Sequence, residues 1–430
     1  SALLLALSLG RPVHAEEVEK VLGNGMKVAV KVDHRAPVVV SQVWYRVGSV
    51  DELNGTTGVA HVLEHMMFKG TPDVPAGEFS KRIAAAGGRE NAFTNRDHTA
   101  YFQQMQKDRL ELAMQLESDR MANLVIRDDL FAKEMQVVME ERRLRTESQP
   151  IGRLLEEFLA VSYKAHPYGE PVVGHMSDLK TLSRQDAIDY FKINYTPANL
   201  VLAVVGDVKA AEVIRLAETY WGRLPKGLER RPVFTEEPPQ LGQKRIEMED
   251  AMQPILILGY HRPSVFSKDS AVLDAISDVL GSGRTSRLYK SLVKEKKIAI
   301  QVAAIANITE KYPSLYVFLA VPSQGHTTAE CEAAILEELE KMKKEPLTAE
   351  ELTAVKTRAK AAFLEGLDSN SGLAQQLADA EVRYHDFRQM FTRTAKIEAI
   401  QAADIQRVAS EIFVKRNSTV AVIVPPAKAD

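Results

Sequence analysis

The chain has 430 residues, 45% hydrophobic and 26% charged, which is enough to bury a sizeable core and suggests two or three domains. Its formal net charge is −3 and it has no basic stripe interleaved with aromatic residues, so nucleic-acid binding is excluded as a reading. The single Cys331 cannot form an internal disulfide and argues neither for nor against an oxidising compartment; a packed position on a helix suits it.

At the start, the apolar run ALLLALSLG (Ala2 to Gly10) is too short to span a bilayer and is followed by VHAEE, with Val13 and Ala15 at the −3 and −1 positions of a signal-peptidase site. Residues 1–15 are expected to be the remnant of a secretory signal peptide, with maturation at Glu16 and an exported, periplasmic product without a stable membrane anchor. The alternative is a short buried strand or helix opening the domain. Gly25 to Ser49 then shows β-branched, alternating segments divided by DHRAP, as expected for two sheet strands.

Helical periodicity follows in GVAHVLEHMMFKGT, in AGEFSKRIAAAGG, in KDRLELAMQLESDRMANL and in RDDLFAKEMQVVMEERRLRTE. Between the second and third lies RENAFTNRDHTAYFQQM, whose aromatic and threonine content suits a hairpin or edge strands. Residues 223–243 hold prolines and mixed charge without periodicity, the composition of a linker, dividing an N-terminal domain (16–222) from a C-terminal one (244–430). Ser183 to Val208 and Gln401 to Pro426 share a helix, loop and strand order, with Asn199 and Asn417 opening the closing strands; this predicts an internal duplication.

The first of these helices carries His61, Glu64 and His65. Positions i and i+4 lie on one helical face, so the two imidazoles can reach one ion, and Glu64 projects beside them. The order His-x-x-Glu-His inverts the commoner zincin pattern. Neutral imidazoles suit zinc, and a catalytic site needs a third protein ligand. Glu134 and Glu141 lie two turns apart on a later helix with Val137 and Val138 between them, the pattern of carboxylates aimed inward. Arg142, Arg143 and Arg145 read as the solvated face of that helix.

Three separated blocks, GSVDELNGTTGVAHVLEHMMFKGT, NAFTNRDHTAYF and EMQVVMEE, together resemble the pitrilysin/insulinase family of zinc peptidases, in its short-chain branch that includes bacterial peptidases and mitochondrial processing peptidase. The resemblance spans nearly the whole mature chain and is strongest from Gly48 to Glu147. It implies an α+β fold of two homologous α/β-sandwich domains related by duplication, clamshell-like around a chamber. It also implies that His61, His65 and Glu141 hold zinc, that Glu64 is the general base, and that Glu134 acts near the metal by orienting a ligand or the water. Asn91, Ala92 and Phe93 match the edge strand on which relatives lay an extended peptide substrate by backbone pairing; for Asn91 a turn residue opening a hairpin is the other reading.

The chain departs from the family in its second domain, which lacks the metal motif, as expected of the inactive copy. Active relatives carry there an arginine and, seven residues on, a tyrosine that hold substrate. Here Lys294 stands at the arginine position and Ile300 or Gln301 at the tyrosine position. Arg287 and Tyr289 are read as helix packing and capping residues rather than replacements. The leading expectation is therefore a zinc endopeptidase completed by a homologous subunit that carries the arginine and tyrosine, a heterodimer. A self-sufficient monomer or homodimer is the alternative, and a non-catalytic scaffold subunit is disfavoured by the intact ligand set.

Overall fold

The computed structural model describes residues 17–251, 253–309 and 311–426; the expected signal remnant at 1–15 lies outside them. In the first half, β1 (Glu17–Val21), β2 (Lys27–Val32) and β3 (Val38–Tyr45) lead into α1 (Val59–Met66) and α2 (Glu78–Ala85). The hairpin of β4 (Arg89–Thr94) and β5 (Thr99–Gln106) follows, then α3 (Leu110–Asn123), α4 (Asp128–Arg142), α5 (Pro150–Ser162), α6 (Met176–Thr181), α7 (Arg184–Asn194), β6 (Leu200–Gly206) and α8 (Ala210–Tyr220). The second half runs β7 (Lys244–Glu249), β8 (Ile255–Arg262), α9 (Ser270–Gly281), β9 (Ala299–Ile305), β10 (Ser314–Pro322) and α10 (Thr328–Lys344). It ends with α11 (Ala349–Leu367), α12 (Asn370–Tyr384), α13 (Gln389–Glu398), α14 (Ala402–Ile412) and β11 (Ser418–Val424).

The sheets are ordered β1-β2-β6-β3-β5-β4 and β7-β11-β8-β10-β9. In each, the last strand of its half lies parallel to the first shared strand and antiparallel to the next, β6 between β2 and β3, β11 between β7 and β8. The duplication extends to side chains. Asn199 Nδ2 donates to Asn194 O at 3.0 Å and Asn417 Nδ2 to Ile412 O at 2.9 Å, each tying the strand start to the end of the preceding helix. β1 is extra, and its exposed EVEKV shows no apolar period; pairing with β2 makes it a strand.

The central strands read as continuous apolar runs because both faces are buried; all seven residues of β6 are. One face of each sheet is covered by helices of its own half, around Val28, Val43, Tyr101, Leu63 and Val138 in the first and Leu258, Phe318, Ile276 and Ile335 in the second. The other face is covered from across the chain. Leu373, Ala374, Leu377 and Ala378 of α12 pack on Ala29, Val40, Trp44 and Ala203 of the first sheet. Leu154, Phe158 and Leu159 of α5 pack on Ile257, Val317, Ala421 and Ile423 of the second. Small residues permit the approach: a Cβ at Gly259 would lie 2.3 Å from Phe158 Cζ.

The exchange is fastened by charge and hydrogen bonds. Glu381 on α12, fully buried, accepts from Lys27 at 2.7 Å and Arg46 at 3.2 Å. Tyr168 O–H donates to Asp97 at 2.6 Å, and the N–H groups of Lys311 and Tyr312 reach the Tyr168 oxygen at 3.1 Å. The segment between Tyr220 and Lys244 holds no helix or strand, yet it is no slack tether. Asn199 accepts from Arg230 N–H at 2.6 Å, and Glu237 accepts from the N–H groups of Lys164, Ala165 and His166 at 2.7–2.9 Å. The two sandwiches are thus interlocked rather than joined as free leaves.

Leu377→Ala, at a side chain 2% exposed, should cost about 2–5 kcal/mol. Hydrogen exchange should then rise in β3 and β6, far away in sequence. A rise confined to the second half would contradict the exchanged packing.

Candidate metal centre and catalytic carboxylate

α1 has only eight residues, too few to hold a helix by propensity alone. Its N-terminus is fixed by Glu52, whose carboxylate accepts from Gly58 N–H and Ala60 N–H, both at 2.8 Å. These are orphan donors at the positive end of the helix dipole. Burial lifts the Glu52 carboxyl well above its ordinary range, against these two bonds. The chain enters the helix through Gly58 at φ +89°, where a Cβ would also lie 2.6 Å from Val173 O, so glycine is required twice over.

The expected ligands come together. His61 Nε2 lies 3.7 Å from Glu141 Oε1 and His65 Nε2 lies 3.5 Å from Glu141 Oε2, with one ligand atom from each residue within 4.8 Å of the others. Those gaps are too long for hydrogen bonds. They suit a shared ion, since tetrahedral ligands at about 2.0–2.2 Å from one centre stand roughly 3.3–3.6 Å apart. Burial above all, with the neighbouring His65 and the Arg145 guanidinium acting in the same direction, pushes the His61 imidazole down to about 3, so it is neutral and able to bind metal at neutral pH. The donor set therefore fits a divalent ion.

Glu134 stands behind the cluster. Its Oε1 lies 2.9 Å from His65 Nδ1 and its Oε2 accepts from Lys69 Nζ at 2.6 Å. Burial raises this carboxyl, but the bonds from His65 and Lys69 outweigh it and hold Glu134 below its usual value, as an anion. An anion at Nδ1 keeps the proton there and leaves Nε2 as a lone pair facing Glu141. Of the two expected roles, orienting a ligand is the one this geometry bears on, since Glu134 contacts the His65 ring.

Glu64 projects from the same helix, and its Oε2 accepts from Thr94 Oγ1 at 2.5 Å. Burial raises the Glu64 carboxyl, with the Thr94 hydrogen bond opposing. Thr94 ends β4, whose outer side is a free sheet edge. Asn95 N–H closes the hairpin on His98 O at 3.0 Å, so alternation turns the N–H and C=O of Glu90, Ala92 and Thr94 outward. Ala92 N–H is met there by Asn91 Oδ1 at 2.9 Å. The side chains split between faces. Ala92 packs toward the α1 layer, whereas the Phe93 ring turns to the opposite layer, 5.5 Å from that of Trp44, and its backbone faces inward to Ala100 of β5.

Of the arginines after Glu141, Arg143 and Arg145 lie on the solvated face as expected and Arg142 does not. Arg142 is buried, donating to Gly174 O at 2.7 Å and to Glu156 of α5 at 2.8 Å, because α4 continues through a π-helical turn, Arg143–Glu147, and only Ser148 and Gln149 separate that turn from the exchanged helix. Arg143 is exposed; Arg145 is exposed yet reaches back to Glu141 Oε1 at 2.7 Å. Arg287 is committed to Glu351 at 2.7 Å and Tyr289 packs on the second core, as read from sequence. Lys294, Ile300 and Gln301 are exposed. Glu52, Lys69 and Thr94 bond directly to the site helix or its side chains, and the sequence reading did not single them out. Only Thr94 left a trace, as the alternate neighbour of Ala92 on a strand.

Comparison with known proteins gives the family. Residues 27–175 match the family model described as insulinase (peptidase family M16), and residues 181–359 match the peptidase M16 inactive domain. The zinc protease PqqE of Helicobacter pylori is 33% identical, over 98% of this chain and 97% of that protein. A probable mitochondrial-processing peptidase subunit beta of Arabidopsis thaliana is 25% identical over 94% of this chain and 77% of its own length. The crystal structure of a protease from Helicobacter pylori superposes with a TM-score of 0.91 at 32% identity, covering 96% of this chain and all of that one. The chain belongs to the insulinase family of peptidases, family M16.

Glu134→Ala should weaken divalent-metal binding about 10- to 100-fold, and Glu141→Ala, which deletes a ligand, should weaken it further. Metal content after dialysis against a weak chelator measures both. The opposite order would exchange their roles.

Proposed function

We propose that this chain is a zinc metalloendopeptidase that hydrolyses extended peptides, with His61, His65 and Glu141 holding the ion and Glu64 acting as general base. The observation that carries the reading is the convergence of three ligand atoms within 4.8 Å, from buried His61 and half-buried His65 and Glu141, with Glu64 on the helix of the two histidines. The zinc named for the Helicobacter pylori relative supports the choice of metal, as do two imidazoles and a carboxylate.

A bound zinc would supply Lewis acidity to a peptide carbonyl and bring the pKa of a water from about 15.7 toward roughly 7. Glu64 accepts the proton of the attacking water and returns it to the departing amine, so the carboxylate is base and then acid and ends unchanged. Glu134 holds the His65 tautomer through both events. The outward N–H and C=O groups of β4 take an extended backbone as an added strand, which tolerates many sequences. Asn91 must then release Ala92 N–H.

A homologous subunit completes the site. Neither Lys294 nor Ile300 replaces the forked donor and the hydroxyl that active relatives place there, and Arg287 is occupied by Glu351. The Arabidopsis relative is itself named as a subunit. Because the two halves here are interlocked, a closable chamber is best formed between this chain and that partner. Export to the periplasm is part of this reading, and the apolar run Ala2 to Gly10 followed by VHAEE supports it.

Glu64→Gln should retain metal and lose about 10²- to 10⁴-fold in peptide turnover; near-normal turnover would remove Glu64 from the mechanism. Alone, the chain should cleave a quenched fluorogenic peptide slowly. A homologous subunit that keeps the arginine and tyrosine should accelerate it about 10²- to 10³-fold, the worth of an oxyanion donor. Full activity without any second chain would favour a self-sufficient enzyme.

A further inference from the structure

We propose that Thr94 is a positioning residue for the general base, and that it couples the base to the strand on which substrate is laid. The proposal rests on the assignment of Glu64 given above and deepens it.

The Glu64 carboxylate is carried on rotatable bonds, and its helix ends at Met66, so little in α1 itself fixes the plane of the group. Among the described residues, its one hydrogen-bond partner is Thr94 Oγ1, at 2.5 Å. A hydroxyl donating to Oε2 pins the carboxylate plane and leaves Oε1 with free lone pairs for the proton it is to accept. The donor comes from a different element, so the base is held at two points, its own helix and the last residue of β4.

The strand geometry makes this more than a packing contact. Thr94 shares its face with Ala92, toward α1, while Phe93 turns to the Trp44 layer. Its backbone N–H and C=O are among those that alternation directs to the free edge. One residue therefore offers its main chain to an added peptide strand and its side chain to Glu64. Pairing at the edge restrains the same residue that aims the base. A β-branched side chain suits the task, since χ1 of threonine is stiff and the hydroxyl is held where the backbone puts it.

The test compares Thr94→Val, which keeps the shape and strand preference but removes the donor, with Thr94→Ser, which keeps the hydroxyl. In the chain paired with its homologous subunit, or alone if it is active alone, Thr94→Val should lower kcat by about 10- to 100-fold with KM within about twofold. Thr94→Ser should stay within about threefold of wild type. Two readouts do not depend on turnover. Metal content and the anisotropy-measured binding of a labelled extended peptide to the metal-stripped protein should both be unchanged in Thr94→Val. The double variant Thr94→Val/Glu64→Gln should be no slower than Glu64→Gln, because the hydroxyl acts only through that carboxylate.

Loss of kcat in Thr94→Ser equal to that in Thr94→Val, parallel loss of metal or peptide binding, or additive loss in the double variant would each overturn the proposal in favour of a structural role. So would a normal kcat in Thr94→Val. Glu64→Gln measured alongside separates the two levels. If it is inactive while Thr94→Val is normal, only the Thr94 inference fails; if it is active, the assignment of Glu64 fails and takes the inference with it.

Discussion

Two sheets with apolar residues on both faces cannot be covered by the helices that flank them in sequence, and each borrows a helix from the other half. The borrowed elements are equivalent in the duplication, α5 and α12, so one solution is used twice with opposite direction. The placement of the metal centre follows from it. α4 runs through a π-helical turn and a break of only two residues, Ser148 and Gln149, into α5, so the helix that carries Glu134 and Glu141 is tied at its far end to an element packed on the second sheet. Arg142, one residue after the ligand, clamps that junction to Glu156 of α5 and to Gly174 O.

Within this frame the centre is assembled by charged and acidic side chains outside the expected ligand set. Glu52 holds the start of α1, Glu134 holds the His65 ring, and Lys69 in turn holds Glu134. Each is buried or half-buried and bonded at both oxygens or to backbone N–H groups, where charge-assisted bonds are strong. A two-turn helix thereby presents His61 and His65 in a fixed relation to a carboxylate on another element. Local sequence sets the spacing of the histidines; tertiary bonds set their direction.

Much of this was legible in the sequence because periodicity and spacing encode it. The inverted motif, the two-turn separation of Glu134 and Glu141, the β4–β5 hairpin and the repeated helix, loop and strand around Asn199 and Asn417 all express one-dimensional regularities that the fold preserves. What was not legible depends on partners distant along the chain. Arg142 is indistinguishable from Arg143 until the path of α5 is known. β1 has no apolar period and exists because β2 offers an edge. Phe93 belongs to the motif by sequence, yet the strand pleat sends its side chain to the other layer, while Thr94, unremarked in the motif, faces the site.

The reciprocal loan of helices also sets the order in which the molecule can be finished. The first sheet is complete in strands once β6 exists, but the face holding Ala29, Val40 and Trp44 stays open until α12 emerges, more than a third of the chain length later. Closing so long a loop is slow relative to local helix formation, and an uncovered apolar sheet face is prone to stray association in the meantime. Neither half is a self-contained folding unit. Biogenesis is therefore governed by contact order: a chain released early, cut at the strap between the halves, or passed unfolded through a membrane reaches the native state only when both ends are present together.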